Sequence, residues 1–128
     1  MQTRSRGDLF FAGQISGVEG YVESAASGLI AGRNAAALVL GHEPTAPPRE
    51  TAIGALGFYV ANANPKHYEP SNITFGIMPL PVSSSGARVP KKKADRKTLY
   101  AERALAALDD WIRTSTAAGA AATTTATE

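Results

Sequence analysis

Two groups of residues in this 128-residue chain have types and spacings that could do chemistry. The first is the run Gly13, Gln14, Gly17, Val18, Glu19, Gly20 and Tyr21, which joins the apolar Leu9 to Ala12 to a long small-residue segment. Glycines at 13, 17 and 20 permit backbone angles and close approaches that a Cβ forbids, and a helix starting near Gly20 would aim unpaired N–H groups across the turn. Such an end can hold a cofactor oxygen, and the Gln14 amide could hydrogen-bond a hydroxyl without adding charge. Taken alone, the pattern also fits a bare strand-to-helix turn. The second group is Arg88, Lys91, Lys92, Lys93, Arg96 and Lys97, countered only by Asp95, with Tyr100 nearby. It suits phosphate contact, or a plain solvated surface.

Other chemistries are poorly provided for. There is no cysteine, hence no thiolate nucleophile, disulfide or Cys-based metal site, and His42 and His67 stand apart in sequence. Glu19 and Glu23 lie one helical turn apart, and we read them as acids favouring a helix N-terminus rather than as a general acid and base. The net charge of +2 does not by itself imply nucleic acid, although a pI near 9.1 is compatible with it. Met1 to Asp8 is polar and charged, not a signal peptide, which makes the cytoplasm the expected compartment. The segment from Ser24 to Leu40 is interrupted by Arg33 and Asn34, so we expect a buried helix and no membrane span.

The elements that must position these groups follow from periodicity. Leu9 to Ala12 reads as a strand buried on both faces, as inside a parallel sheet. The helix from about Gly20 to Leu40 sets Ser24, Gly28, Gly32 and Ala36 four apart, a smooth ridge for close packing, with Gly41 as its stop. After the Pro44, Pro47, Pro48 connector, a shorter helix is expected over Thr51 to Ala61, with Ile53, Leu56, Phe58 and Val60 available for burial. Asn72 to Ile77 alternates as a strand would, and a Ser/Gly/Pro linker covers Ser83 to Pro90. A third helix over Arg96 to Arg113 places Ala101, Leu105, Leu108 and Ile112 on one face, with Ala104 and Trp111 at its margin. The Ala/Thr-rich tail from Thr114 is expected to be disordered.

The wording of the turn carries a resemblance. GQISGVEGYVESAASGLIAGRNAA, starting at Gly13, is similar to the carboxy-terminal flavin-site motif of the GidA-like tRNA-modifying flavoproteins. Among them it resembles the folate- and FAD-dependent tRNA (uracil-5-)-methyltransferases, which typically read GVEGYVESAASG, whereas the carboxymethylaminomethyl-uridine relatives tend to read GTTGYEEAAAQG. Val18, Glu19, Val22, Glu23 and Ser24 therefore favour the methyltransferase branch. Pro47 to Pro81 is similar to that branch's PPxTTALGAL and FQPMNxNFGLxPPL segments, with Glu69, Pro70, Ser71 and Asn72 standing where QPMN is usual. Asn72, Thr74, Phe75 and Gly76 match NxNFG, as an edge strand or on the cofactor side.

The resemblance implies an α/β fold in which this chain is the carboxy-terminal piece of a discontinuous Rossmann-like FAD-binding domain. The amino-terminal GxGxxG and the cysteines for methyl transfer that a complete enzyme carries are absent from the sequence. It further implies that Gly13, Gln14, Gly17, Val18, Glu19, Gly20 and Tyr21 border the flavin, and that the basic cluster contacts tRNA. Methylenetetrahydrofolate and NAD(P)H are the implied co-substrates, and the amino-terminal half of the flavoprotein is the implied protein partner. By this reading residues 1–81 belong to the FAD-binding domain, 82–113 form a basic linker and amphipathic helix, and 114–128 form the tail. The alternatives are a fragment of the carboxymethylaminomethyl-uridine flavoprotein and a non-catalytic helical adaptor.

Overall fold

In the computed structural model, residues 1–81 and 90–125 are described, with side chains through Ser115. Among these residues three helices carry the fold: α1 (Tyr21–Val39), α2 (Ala52–Asn62) and α3 (Lys93–Thr125), with 3-10 turns at Gly13–Ser16 and Pro65–His67.

Helix α1 starts from Gly20 and ends at Leu40, after which the Gly41 N–H donates to Leu38 O (3.0 Å) and the His42 N–H to Ala37 O (2.8 Å). Those two bonds satisfy carbonyls that a helix end otherwise leaves open. Helix α2 is capped by Thr51, whose hydroxyl accepts from the Gly54 N–H at 3.0 Å. Gly54 is required for a different reason: a Cβ there would run into the Pro47 and Pro48 carbonyl oxygens, so the proline connector lies directly on the first turn of α2.

The packing between α1 and α2 does not use the glycine ridge. Buried on α1 are Ser27, Ala31 and Asn34, whereas Gly28, Gly32 and Ala36 face outward with nothing within 4 Å of a Cβ built on either glycine. Asn34 ties the connector to α1, donating to Thr45 O at 2.9 Å and accepting from Thr45 N at 3.1 Å. On α2 the buried residues are Gly54, Ala55 and Leu56, while Phe58 lies beneath the Arg49 guanidinium, 3.6 Å from its ring centre.

Neither expected strand forms, and the described residues contain only two isolated bridges, Gln2 with Phe10 and Val18 with Ser71. Leu9 to Ala12 pairs along one edge with the first residues of the chain, through Thr3 N–H to Leu9 O and Phe11 N–H to Met1 O, both 2.9 Å. A strand buried on both faces needs neighbours on both edges and a layer on each face. Here Leu9 and Phe11 remain 37% and 42% exposed, so the segment is an extended arm instead. Asn72 to Ile77 likewise leaves its single bridge at Ser71 and turns at Phe75 to Ile77, where Phe75 packs on Tyr100 with ring centroids 4.9 Å apart.

Helix α3 is longer than expected. It begins at Lys93 and its backbone continues to Thr125; alanine is the strongest helix former, and no proline interrupts the run. Its inward face is also rotated. Tyr100, Ala104, Ala107, Leu108 and Trp111 are buried or half-buried, and Leu105 and Ile112 point outward. The aromatic residues decide this: Tyr100 meets Phe75, and Trp111 receives the Arg33 guanidinium at 4.7 Å. The expected Ser83 to Pro90 linker lies, apart from Pro90, outside the described residues, as does Arg88.

Candidate functional site

The glycine turn is built by hydrogen bonds that its own residues cannot make alone. Gly13 and Gly17 adopt positive φ (69° and 84°), closing a 3-10 turn in which the Gly17 N–H donates to Gln14 O at 2.9 Å. Ser27, in the second turn of α1, accepts from the Gly13 N–H at 2.9 Å and donates to Ser24 O at 2.8 Å. The Ser24 hydroxyl donates to Val18 O at 3.2 Å. Two serines thus fasten the turn to the helix it precedes.

A second clamp comes from fifty residues away. The Ser71 N–H donates to Gly17 O at 2.9 Å, and the Glu19 N–H donates to Ser71 O at 3.2 Å, a two-bond parallel bridge around the fully buried Val18. Beside it, the Ile73 N–H donates to a Glu23 carboxylate oxygen at 3.3 Å. Glu23 is therefore more than a first-turn acid: it draws the segment resembling NxNFG onto the helix start. On the other side the Tyr68 hydroxyl donates to Ser16 O at 2.7 Å, and the ring stacks on Tyr59 at 5.7 Å. Burial, with a smaller contribution from Tyr59, pushes the Tyr68 pKa above its ordinary value.

The sequence-derived residues separate into two roles. Gly13, Gly17 and Val18 are structural, and Gly20 is the N-cap of α1, with no side chain capping the helix. The side chains of Gln14, Glu19 and Tyr21 are exposed, Tyr21 to 94%. Gln14 and Gly17 line an open cavity of about 620 Å³ that also includes Phe11, Ile15, Tyr68 and Pro70. Sequence reasoning missed Ser27, Tyr68 and the clamp role of Glu23. The spacing of 24, 27, 31 and 34 was an available signal, a small and polar helix face; nothing in the sequence paired Tyr68 with Ser16.

The basic cluster is separate from the turn. Lys91, Lys92, Lys93, Arg96 and Lys97 are all exposed around the first turn of α3, and none forms an ion pair among the described residues. Among the described residues, no group of His, Cys, Asp and Glu could hold a metal ion, and no helix is long and apolar enough to cross a membrane.

A glycine turn fastened to the bare start of a small-residue helix is a feature of nucleotide-cofactor folds, and comparison with known proteins narrows the class. Residues 1–43 match the family described as Glucose inhibited division protein A. The methylenetetrahydrofolate--tRNA-(uracil-5-)-methyltransferase TrmFO of Symbiobacterium thermophilum is 54% identical over 110 residues, 86% of this chain and 24% of that protein. The protein of the same description from Solibacter usitatus is 50% identical over 111 residues, 87% of this chain and 25% of the relative. That from Exiguobacterium sibiricum is 53% identical over 110 residues, with 86% and 25% covered. The chain belongs to the GidA family, and it spans about a quarter of the length of the curated methyltransferases it matches.

Proposed function

We propose that this chain forms the carboxy-terminal, flavin-adjacent part of a tRNA methyltransferase that makes 5-methyluridine in the T-loop from methylenetetrahydrofolate, working in the cytoplasm. The observation that carries the reading is the clamped turn. It presents the uncapped N-terminus of α1 beside exposed Gln14 and Tyr21, in a chain about half identical to these methyltransferases. In this reading the Rossmann-like domain is completed by an amino-terminal portion with its GxGxxG, and the apolar arm Leu9 to Ala12 gains the strand neighbours it lacks here.

The residues present fit the flavin ring better than its pyrophosphate. The first N–H groups of α1 have no side-chain cap and can donate to a ring carbonyl. The Glu23 carboxylate in the same turn offsets the positive helix end, which disfavours a dianionic group there. Gln14 would hydrogen-bond the ribityl hydroxyls, and Tyr21 would cover the ring edge. When held by Gln14, Tyr21 and the first N–H groups of α1, FAD would supply the reducing electrons, with NAD(P)H as their source, for the conversion of the folate-borne methylene carbon to a methyl group. This chain positions the ring and shields it from water, and with no cysteine it leaves any thiolate step to the amino-terminal portion.

A chimera tests this. In the Symbiobacterium thermophilum protein, the matching quarter is replaced by this chain. We expect stoichiometric flavin absorbance and 5-methyluridine formation on a tRNA lacking that methyl group, whereas the chain by itself retains no FAD. A folded chimera without flavin would overturn the proposal. The same background tests the glycine ridge. Gly28→Leu should leave the isolated chain unchanged or stabilise it by up to about 1 kcal/mol through helix propensity. In the chimera it should destabilise by about 1 to 3 kcal/mol through overpacking. Paired urea titrations read the sign, and the same sign in both would mean that nothing covers α1.

A further inference from the structure

The start of α3 does more than display cations. Between Phe75, Leu80 and Pro81 on one side and Lys93, Lys97 and Tyr100 on the other lies a cavity of about 360 Å³, also bordered by Arg96. Its apolar wall is preformed. The Arg103 guanidinium donates to Pro79 O at 2.7 Å and to Leu80 O at 3.0 Å, fixing that segment against α3. Tyr100 is buried, and its ring contact orients Phe75, which keeps 49% of its surface exposed.

The charge arrangement has a cost that a ligand would remove. Lys91, Lys92, Lys93, Arg96 and Lys97 gather at the N-terminus of α3, where the helix dipole is already positive and disfavours cations. Asp95 is the single acid in that turn. Helix dipole and side chains thus converge on an anion. Because Lys91 and Lys92 extend the charge beyond the cavity, a chain of phosphates matches it better than one small anion.

From this juxtaposition of an exposed ring, an apolar wall and a row of cations, we infer that the cavity takes one unpaired nucleotide of an RNA strand. The base stacks on Phe75 between Leu80 and Pro81, and the flanking phosphates lie on Lys93, Arg96 and Lys97. The volume is at the small end for ligand pockets, of the size that suits a single base and ribose. Stacking on an aromatic face tolerates any base, so the pocket would recognise an unstacked nucleotide and not a sequence. Ser71 clamps the glycine turn, and the four residues from Ser71 to Phe75 span at most about 14 Å of extended chain, so a nucleotide held here would lie close to the flavin-side turn. The inference rests on the tRNA reading above and specifies which part of the RNA this chain grips.

The test measures fluorescence anisotropy of the full chain with a short single-stranded RNA and with a duplex of the same length, across a salt series. Phe75→Leu keeps the apolar contact with Tyr100 but loses the stacking face. It should weaken single-strand binding about tenfold, leave duplex binding unchanged and leave the salt slope unchanged. Phe75→Tyr should restore the affinity. Lys93→Ala with Lys97→Ala should make the single-strand salt slope shallower by about 1.4. Helical circular dichroism checks that each variant is folded. If Phe75→Leu binds as tightly as the parent while the double lysine variant does not, the pocket is overturned and the tRNA reading stands. If the parent binds neither RNA, both fall.

Discussion

Gly17→Ala is expected to unfasten the candidate cofactor turn, costing about 2 to 5 kcal/mol and eliminating flavin retention in the chimera. Two independent costs add. Gly17 has φ 84° and ψ 19°, a left-handed conformation that costs an L-residue roughly 1 to 2 kcal/mol. The new methyl would also collide with the Tyr68 hydroxyl and sit 2.7 Å from the ring carbon that bears it. Tyr68 cannot yield freely, because it is hydrogen-bonded to Ser16 O and stacked on Tyr59. Relieving such overpacking costs about 1 to 3 kcal/mol more. Urea denaturation followed by far-UV circular dichroism measures the first effect, and flavin absorbance after gel filtration the second. A shift below about 0.5 kcal/mol with flavin retained would show that Tyr68 and Gly17 do not meet as described.

Leu56→Ala should be comparably damaging, by about 2 to 5 kcal/mol, through a different mechanism. Leu56 is fully buried and is the largest of the fully buried side chains among the described residues, ahead of Val18 and Ser27, so truncating it removes more enclosed apolar volume than truncating either of those. Small domains commonly hold only about 5 kcal/mol in total, so the variant should lose its cooperative urea transition. Leu105→Ala is the matched control. Leu105 is 62% exposed on α3, and its truncation should change stability by less than about 0.5 kcal/mol. Equal effects of the two substitutions would mean that α2 is not the centre of the core.

The three helices and the turn were legible because their signals are local. Gly20 and Gly41 bracket α1, Thr51 caps α2 three residues before Gly54, and the glycines at 13 and 17 occupy left-handed positions. The two strands were read from apolar alternation, which records an affinity for sheet neighbours and not their presence. With no sheet to join among the described residues, Leu9 to Ala12 pairs along one edge with Met1 to Thr3, and Asn72 to Ile77 folds onto α3. The buried face of α1 was misread for a related reason. The Ser24, Gly28, Gly32, Ala36 ridge suits close packing, but hydrogen bonds to Gly13 and Thr45 turn Ser27 and Asn34 inward.

By itself the sequence determined the family resemblance, the bounds of α1 and α2 and the start of α3 to within a few residues, the glycine turn and the position of the basic cluster. Each of these depends on residues within a few turns of one another, where spacing and backbone preference act directly. Tertiary structure alone decided that Ser71 bridges Val18, that Glu23 holds Ile73, that Tyr68 closes over Gly17 and that Phe75 meets Tyr100. Those contacts join positions roughly 25 to 55 residues apart, and their partners are selected by packing and by the need to satisfy buried backbone groups, which no local pattern encodes.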